Sequence, residues 1–587
     1  MSRRRDVVAL VLYSLLTVGL AWALVSDIDT ALAGHNSDVQ MNLWADWWTK
    51  KVLTERLNLF HTDYLFYPQG VSLAFHSFSH VNTLISLVLR PITGRIAAYN
   101  VPILLSFALS GFSMYLLVKH LTGSALGAFG AGLVFAFQPY HRFESAHPVI
   151  VTTQWMPLFA LALMRTIHGT ERRRNTDIAL TALWFVLTAL SSWHLMLMLA
   201  GWTVLYLTYD IIVADSDWAP GARRSLVIAA VVAGVVLSPF LWPMVSEALG
   251  PGISHMSADP DDGIGNDLLA FMVPNEENPV LYPLASRILD VNDTTGFTGK
   301  RSAYLGYVAL ALAVAGVSAA REARFWGLAG LLSLLLSVGA RVTLNGTPLH
   351  GFYLPWALPA IRILRHPFRL NVLTFFSLSV AAGFGLSWVH GRIASRRKTL
   401  ACAGSATLMA LMLVEYMVVP FPTMEVTHSP FLLQLAEEQG DFAVADFPMG
   451  RQNGKHYMYC QTIHGKRIAG GHVSRKPDSA DAFIDGNPLL EQLDDNAAPG
   501  PEVDIESEFQ KLAARGFRYL IIHKSLLESE DASAWKSWFP FQPSYEDQWL
   551  IVYPVPAEAA LEIDGEERPE ANPRSRVQAT RDGRTDG

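Results

Sequence analysis

The chain begins 1-MSRRRDVVALVLYSLLTVGLAWALV-25, in which three arginines precede an apolar run. About 20 apolar residues are enough to cross a bilayer as an α-helix. The run is longer than the apolar core of a secretory signal peptide, and no small-residue cleavage site follows it. The stretch therefore predicts an uncleaved first transmembrane helix over residues 7–26.

The composition indicates a membrane protein with several spans. The 587 residues are 51% hydrophobic and 17% charged, whereas soluble proteins have about 25% charged residues. The net charge of -7 gives no reason to expect nucleic-acid binding. Cys402 lies in an apolar run and Cys460 in a polar one. The two are not expected to pair, and they predict neither a disulfide framework nor a cysteine-based zinc site.

Ten further apolar segments have the length of a transmembrane helix, so the sequence predicts about eleven spans. They are 99–118, 122–138, 149–168, 176–192, 194–214, 224–245, 302–320, 325–340, 368–389 and 399–419, with the fifth and sixth spans of the chain divided at Ser191–His194. When the N-terminus is cytoplasmic, the arginine clusters of the short loops all fall on the cytoplasmic side. This orientation predicts a multi-pass protein of the cell (inner) membrane with the long first loop and the C-terminus extracytoplasmic.

The composition changes after residue 420. Short apolar runs such as 442-FAVADFP-448 and 517-FRYLIIHK-524 are typical of strands. We therefore predict a transmembrane domain over 1–420, with its first exterior loop at 27–98, and an extracytoplasmic α/β domain over 421–565. The apolar-poor residues 566–587 are predicted to be a disordered tail. Structural roles are expected for the histidines of the second domain, His456, His464 and His472.

The first exterior loop contains 34-GHNSDVQMNLWADWW-48, which predicts an amphipathic helix over 38–57 lying on the membrane. The tryptophans of this stretch suit the lipid–water boundary. Asp38, at the start of the helix, has two interpretations. It is either an N-terminal helix cap or a catalytic base held close to the membrane plane.

Four further groups are candidates for the wall of a site. Asp63 lies in the same loop, where His76 and His80 are four residues apart and have the spacing of metal ligands on one helix face, or are structural. Arg142 and Glu144 belong to the turn 139-PYHRFESAHP-148, which is either a solvated Arg–Glu turn or part of the site. The acidic loop 259-DPDDGIGND-267 is an ordinary flexible loop or a lid over the substrate.

The stretch 361-IRILRHPFRL-370 places Arg362, Arg365 and Arg369 at the outer end of the tenth predicted span. This is the side that should be poor in arginine. Guanidinium groups bind phosphate with two parallel hydrogen bonds. The cluster therefore predicts contact with phospholipid headgroups or, more specifically, a site for a lipid-linked phosphate.

The layout resembles the GT-C superfamily of membrane glycosyltransferases, in an uncharacterised bacterial type. The similar pieces are 37-SDVQMNLWADWW-48, 64-YLFYPQG-70, 365-RHPFR-369 and 446-DFPMGRQNGKHYMYCQTIHGKRIAGGHVSR-475. The resemblance implies transfer of a sugar from a polyprenyl-phosphate donor to an acceptor glycan, lipid or protein. It implies Asp38 as general base and Arg365 and Arg369, helped by Arg362, as ligands of the donor phosphate.

No cofactor is required by these patterns, and a divalent metal is compatible with them. Two other classes of function stay open. A lipid or glycan transporter or flippase would need polar residues in the middle of its spans, and the predicted spans are almost free of charge there. A non-enzymatic membrane assembly protein would need no convergence of Asp38 with the arginines.

Overall fold

The structure is a computed structural model that describes residues 2–250, 265–292, 296, 302–339, 341–353, 366–494, 499–527 and 531–556. Arg362, Arg365, the tail 566–587 and most of the acidic loop 259–267 lie outside the described residues. The first half of the chain contains α1 Ser2–Leu20, α2 Trp22–Ser26, α3 Asp38–Glu55, α4 His80–Thr93, α5 Arg95–Thr122, α6 Ala125–Phe137, α7 Pro139–Phe143, α8 Pro148–Val151, α9 Trp155–His168, α10 Arg174–Ser191, α11 Trp193–Ile212, α12 Ala222–Ala248 and α13 Tyr282–Ile288.

The second half contains α14 Tyr307–Ala319, α15 Arg324–Ser337, α16 Asn371–Ala394, α17 Lys398–Glu415, α18 Phe431–Glu437, α19 Asn453–His464, α20 Ala482–Asp485, α21 Pro488–Asp494, α22 Ile505–Ala514 and α23 Asp531–Trp538. The strands are β1 Ala31–Ala33, β2 His61–Thr62, β3 Val71–Ser72, β4 Arg341–Leu344, β5 Thr347–Tyr353, β6 Thr423–Glu425, β7 Ala443–Phe447, β8 Arg467–Ile468, β9 Phe517–His523, β10 Tyr545–Glu546 and β11 Leu550–Pro554.

Six helical segments of the described chain are long and apolar enough to cross a membrane. They are Arg95–Thr122, Pro148–His168, Trp193–Ile212, Ala222–Ala248, Pro367–Ala394 and Lys398–Glu415, and Ala125–Phe137 and Tyr307–Ala319 are shorter apolar helices. The break predicted at Ser191–His194 is confirmed, because α10 ends at Ser191 and α11 starts at Trp193. The total of eleven spans stays a prediction.

The centre of the helical bundle depends on small residues. A Cβ atom at Gly385 of α16 would lie 1.8 Å from the carbonyl oxygen of Leu312 in α14. A Cβ atom at Gly316 would likewise lie 2.2 Å from the carbonyl oxygen of Ala381. The two helices therefore meet backbone against backbone, which is the way membrane helices gain van der Waals contact without a hydrophobic driving force.

Helix α3 is enclosed by protein rather than laid on a surface. Trp44 and Trp48 are at most 1% exposed. The Trp44 indole N–H donates to Gln461 Oε1 at 2.6 Å, and that of Trp48 donates to the carbonyl oxygen of Leu59 at 3.2 Å. The prediction that these tryptophans anchor the helix at a lipid–water boundary is therefore wrong for both, because α3 packs against α19 of the C-terminal region.

The C-terminal region contains a five-stranded sheet in the order β10-β11-β9-β7-β8. Strand β7 pairs in parallel with β8 and β9, whereas β9, β11 and β10 pair antiparallel. All five residues of β7 are buried, as expected for a central strand with both faces covered. The first loop joins the outer edge of this sheet, because Ile468 N–H donates to the carbonyl of Tyr64 and Tyr67 N–H donates to that of Ile468, both at 3.1 Å.

Candidate active site

Asp38 is the first residue of α3, and its carboxylate is held by two cations. His147 Nε2 lies 2.7 Å from Oδ2, and Lys455 Nζ lies 2.5 Å from Oδ1. The carboxylate does not act as the N-cap, since the N-cap position is Ser37 and both carboxylate oxygens contact the two cations. The side chain of Asp38 is 24% exposed. The carboxylate is thus partly accessible and positioned by two distant parts of the chain.

His147 connects Asp38 to a second acid. Its Nδ1 lies 2.8 Å from Oε2 of Glu144, three residues earlier in the chain. The turn that contains both residues is buried, with Glu144 7% exposed and Arg142 1% exposed. The alternative of a solvated Arg–Glu turn is therefore wrong. Helices α7 and α8 each start with a proline, and they direct this turn back into the bundle.

The charges of this cluster shift the pKa values of its members. Burial alone would raise the pKa of Asp38, but hydrogen bonds and charge from His147 and Lys455 outweigh burial and hold that pKa well below its usual value. Burial alone would lower the pKa of His147, but Glu144 and Asp38 raise it to about 10. At neutral pH the cluster therefore contains an aspartate anion and an imidazolium cation.

Arg369 is within electrostatic reach of the same turn. It belongs to the one-turn helix Pro367–Leu370 that precedes α16, and its Nη1 is 2.8 Å from Nε2 of His194 near the start of α11. Burial raises the pKa of Tyr140, Glu144 raises it further and Arg369 opposes both, so Tyr140 is within electrostatic reach of both groups. The chain of neighbours is thus Asp38, His147, Glu144, Tyr140 and Arg369.

The other predicted wall residues are dispersed. Asp63 pairs with Arg467 Nε at 2.9 Å, and Arg142 donates to the carbonyl oxygen of Val418 at 3.1 Å. His76 precedes α4 while His80 begins it, so the prediction that they share a helix face is wrong. Burial lowers the pKa of His76 to about 3 and that of His80 to about 4.

The second acid of the loop motif, Asp46, is not accessible. It lies about two turns after Asp38 on α3, is 6% exposed and accepts a hydrogen bond from Thr83 Oγ1. Burial raises its pKa to about 6, although the hydrogen bonds from Thr83 and Ser86 oppose the shift. Of the two acids of the motif, only Asp38 can meet a substrate.

A cavity of about 130 Å³ opens between the first loop and the C-terminal region. Phe66 of the first loop lines this cavity. The charged residues of its lining are Arg451, Lys476, Asp481 and Asp494. His472, also in its wall, is within electrostatic reach of Asp38 and Lys455. Gly454 also lines the cavity and directly precedes Lys455, so the cavity lies next to the helix that carries the lysine partner of Asp38.

Sequence reasoning missed two partners of Asp38. His147 lies in the turn 139–148, where the sequence indicated only Arg142 and Glu144 as candidates. The signal that could have found it was the spacing of Glu144 and His147, which are three residues apart. Lys455 gave no signal, because it approaches from a helix more than 400 residues later in the chain.

Comparison with solved structures shows which proteins share this fold. ArnT from Cupriavidus metallidurans in the apo state has a TM-score of 0.53 at 14% identity, covering 95% of this chain and 99% of that one. The same protein bound to undecaprenyl phosphate gives 0.51 at 13% identity, with 94% and 98% covered. The archaeal oligosaccharyltransferase AglB from Archaeoglobus fulgidus, in complex with an inhibitory peptide and a dolichol-phosphate, gives 0.50 at 12% identity, with 91% and 71% covered.

The fold is thus that of GT-C membrane glycosyltransferases, as the sequence resemblance predicted. The chain belongs to the family described as "Domain of unknown function (DUF6311)", whose family model matches residues 7–414. A comparison with curated proteins gives no significant match. The likeness to the solved structures is one of fold at low identity, and the role of the site is a separate question.

Proposed function

We propose that the protein is a membrane glycosyltransferase that moves a sugar from a polyprenyl-phosphate donor to an acceptor glycan, lipid or protein. The observation that supports it most is the GT-C fold with an accessible carboxylate, Asp38, at the start of α3. ArnT binds undecaprenyl phosphate and AglB binds dolichol-phosphate. The proposed orientation puts the N-terminus in the cytoplasm and the C-terminal region outside the inner membrane.

The donor phosphate would bind at Arg369. That guanidinium lies at the start of α16 beside His194 at the start of α11, and helix N-termini favour anions. A cavity of about 420 Å³ between α14, α15 and α16 is lined mainly by Leu, Val and Ala, and Thr374 of its wall is five residues after Arg369. It could hold part of the prenyl chain while the phosphate contacts the arginine.

Asp38 would accept the proton of the acceptor hydroxyl. With both oxygens paired to cations, the carboxylate is a weak base, since its pKa is held well below the usual value. The acceptor must therefore enter between Asp38 and Lys455, because loss of one cation raises the pKa of the carboxylate. The hydroxyl oxygen then attacks the anomeric carbon, the bond from that carbon to the phosphate oxygen breaks, and the phosphate leaves as an anion next to Arg369.

The acceptor would occupy the charged cavity next to Lys455. Its wall provides two cations, Arg451 and Lys476, and two acids, Asp481 and Asp494. Such a lining suits a polar acceptor with hydroxyl groups better than an apolar chain. The C-terminal region therefore contributes Lys455 and one wall of the acceptor site.

The position of the charges favours an enzyme over a transporter. In the described helices that correspond to predicted spans, the buried acids Asp177, Asp210 and Glu415 all lie in a first or last turn. Glu415, for example, accepts hydrogen bonds from the N–H groups of Tyr307 and Val308 at the start of α14. A transporter needs charged groups near the middle of its helices.

The test is transfer from a panel of radiolabelled polyprenyl-phosphate sugars by the full-length protein in proteoliposomes. We expect at least one donor to give a labelled product with the wild type and none to do so with Asp38→Asn. Flipping of the intact donor without cleavage, at equal rates in both proteins, would support the transporter instead. Equal product formation by the two proteins would remove Asp38 from the mechanism.

A further inference from the structure

Three metal-binding side chains meet beneath α19. His456 and Cys460 are four residues apart on this helix and therefore share a face. The ring of His523, the last residue of β9, lies across from them, with its centroid 5.2 Å from that of His456. One ligand atom from each of the three residues lies within 4.8 Å of the other two. Cys460 is 2% exposed and His523 1% exposed.

The spacing of His456 and Cys460 fits a tetrahedral zinc ion. Zinc binds imidazole nitrogen at about 2.0–2.1 Å and thiolate sulfur at about 2.3 Å, which puts the two ligand atoms about 3.6 Å apart at a tetrahedral angle. Cys460 Sγ lies 3.6 Å from His456 Nε2. The pair on the helix is thus already at the separation that the ion requires.

Neighbouring groups orient both imidazoles. Asp446 of β7 holds Nε2 of His523 at 2.8 Å, which leaves Nδ1 as the nitrogen for a cation. The side-chain amide of Gln40 lies 3.3 Å from Nδ1 of His456, which leaves Nε2, the atom that faces Cys460. A carboxylate behind a metal-binding histidine is the usual outer partner in zinc sites.

The negative charge of Asp446 also favours a cation at this place. The residue is 3% exposed, and within the described ranges it makes no ion pair with lysine or arginine. Its second oxygen, Oδ2, is buried without a hydrogen-bond partner among the described residues. A buried carboxylate is costly unless it is compensated. A divalent cation on the far side of His523 would balance Asp446 and a Cys460 thiolate together.

We propose that His456, Cys460 and His523 bind a zinc ion, with Cys460 as thiolate and a water molecule in the fourth position. The thiol proton is released to solvent as the sulfur–zinc bond forms. One thiolate with two imidazoles is a zinc-type donor set. The proposal departs from the expectation of no cysteine-based zinc site, because one cysteine would be completed by histidines rather than by the other cysteine.

The ion would join α19 to β9 of the sheet. Lys455, which pairs with Asp38, directly precedes His456, and Gln40 behind His456 belongs to α3. The zinc site would therefore fix the position of α19 against the first loop. The chain itself supplies all three protein ligands, so the proposal does not depend on sugar transfer.

The first experiment measures zinc by mass spectrometry in the full-length protein, purified in detergent, loaded with zinc and dialysed. We expect about one zinc per chain in the wild type. Cys460→Ser and His523→Gln should each hold at least tenfold less. Cys402→Ser is the matched control, because Cys402 is the exposed cysteine of α17 and should not affect the zinc content.

The second experiment needs no variant that might fail to fold. Cobalt(II) replaces zinc in the wild type, and a thiolate ligand then gives a sulfur-to-cobalt charge-transfer absorption in the near ultraviolet. We expect this band in the wild type and in Cys402→Ser. A wild type with no such band and with as little zinc as Cys460→Ser would overturn the proposal, and Cys460 would then be only a thiol hydrogen-bonded to His456. Zinc binding with no sugar transfer would leave this proposal intact and count against the glycosyltransferase.

Discussion

Neighbouring residues of α19 contact two aspartate–histidine pairs. Lys455 contacts Asp38 of the first pair, and His456 lies next to His523 of the second. The surroundings of the two pairs differ. Asp38 and His147 are 2.7 Å apart, about a quarter exposed, and accompanied by Lys455. Asp446 and His523 are 2.8 Å apart, at most 3% exposed, and accompanied by His456 and Cys460. The carboxylate–imidazole contact is nearly the same in both.

The difference shows that the third partner and the access of solvent decide what such a pair can do. At Asp38 a lysine supplies positive charge, and the side chain is about a quarter exposed. At Asp446 the neighbours His456 and Cys460 offer metal-binding atoms, and both members of the pair are at most 3% exposed. We therefore propose substrate chemistry at the first pair and zinc binding beside the second, with His523 as a ligand and Asp446 behind it.

The largest expected effect is the loss of sugar transfer when Asp38, the acid of the first pair, is replaced. Asp38→Asn should lower sugar transfer by about 10²–10⁴-fold, the typical contribution of a general base. The amide keeps the shape of the side chain but does not accept a proton. The measurement is the initial rate of transfer in proteoliposomes at saturating donor.

Glu55→Gln, at the exposed end of the same helix, is the control and should transfer at the wild-type rate. If Asp38→Asn kept more than half of the wild-type activity, Asp38 would not be the general base, and the two pairs would not differ in catalytic role.

Arg369→Ala tests whether the donor phosphate binds at Arg369. Removal of one group that stabilises a developing anion costs about 10²–10³-fold in rate. We expect the loss to appear in kcat and in the KM of the polyprenyl-phosphate donor, with the KM of the acceptor unchanged.

Arg392→Ala provides a control, because Arg392 lies at the other end of α16, where it stacks on Trp388. Equal changes in the KM of donor and acceptor for Arg369→Ala would count against a phosphate site.

The free energy of unfolding should depend on pH in the alkaline range because of His147, the partner of Asp38. The pKa of His147 is raised from 6.5 to about 10 in the folded protein. Its imidazolium therefore stabilises the fold fully below pH 6.5, and this stabilisation is lost as the pH rises through about 10. The effect on the free energy of unfolding is on the order of a few kcal/mol.

Thermal unfolding of the detergent-purified protein from neutral pH to just above the raised pKa of His147 measures this dependence. His147→Gln should show a smaller fall in Tm over that range than the wild type does. Parallel curves for the two proteins would mean that His147 is not charged in the folded state.

The smallest expected effect comes from replacing Lys455, the lysine that accompanies the first pair. Lys455→Met should raise the pKa of Asp38, since an opposite charge at this distance lowers the pKa of a carboxylate by about 1–3 units. The acidic limb of the pH profile of kcat/KM, which reports the free enzyme, should move to higher pH by a similar amount.

Lys511→Met, in the exposed part of α22, removes a lysine from the same region without contact to Asp38 and should leave the profile in place. An unmoved profile in Lys455→Met would show that another group controls the acidic limb.

Local sequence determined the membrane class and part of the helical framework. The apolar runs predict helices because a bilayer forces every backbone group into an internal hydrogen bond, and the break at Ser191–His194 and the start of α3 at Asp38 follow from local composition. The strand-like runs 442–448 and 517–524 likewise became β7 and β9. These features depend on neighbours within one helical turn or one strand.

Only the tertiary structure decided the partners of the site residues. Lys455 reaches Asp38, and His456 meets Cys460 and His523, because α19 packs between the first loop and the sheet. The pattern around Asp38 fits a helix cap as well as a base, and the single Cys460 gives no metal motif by itself. Charge and ligand geometry act through space over a few ångströms, whereas Asp38 and Lys455 are more than 400 positions apart in the chain.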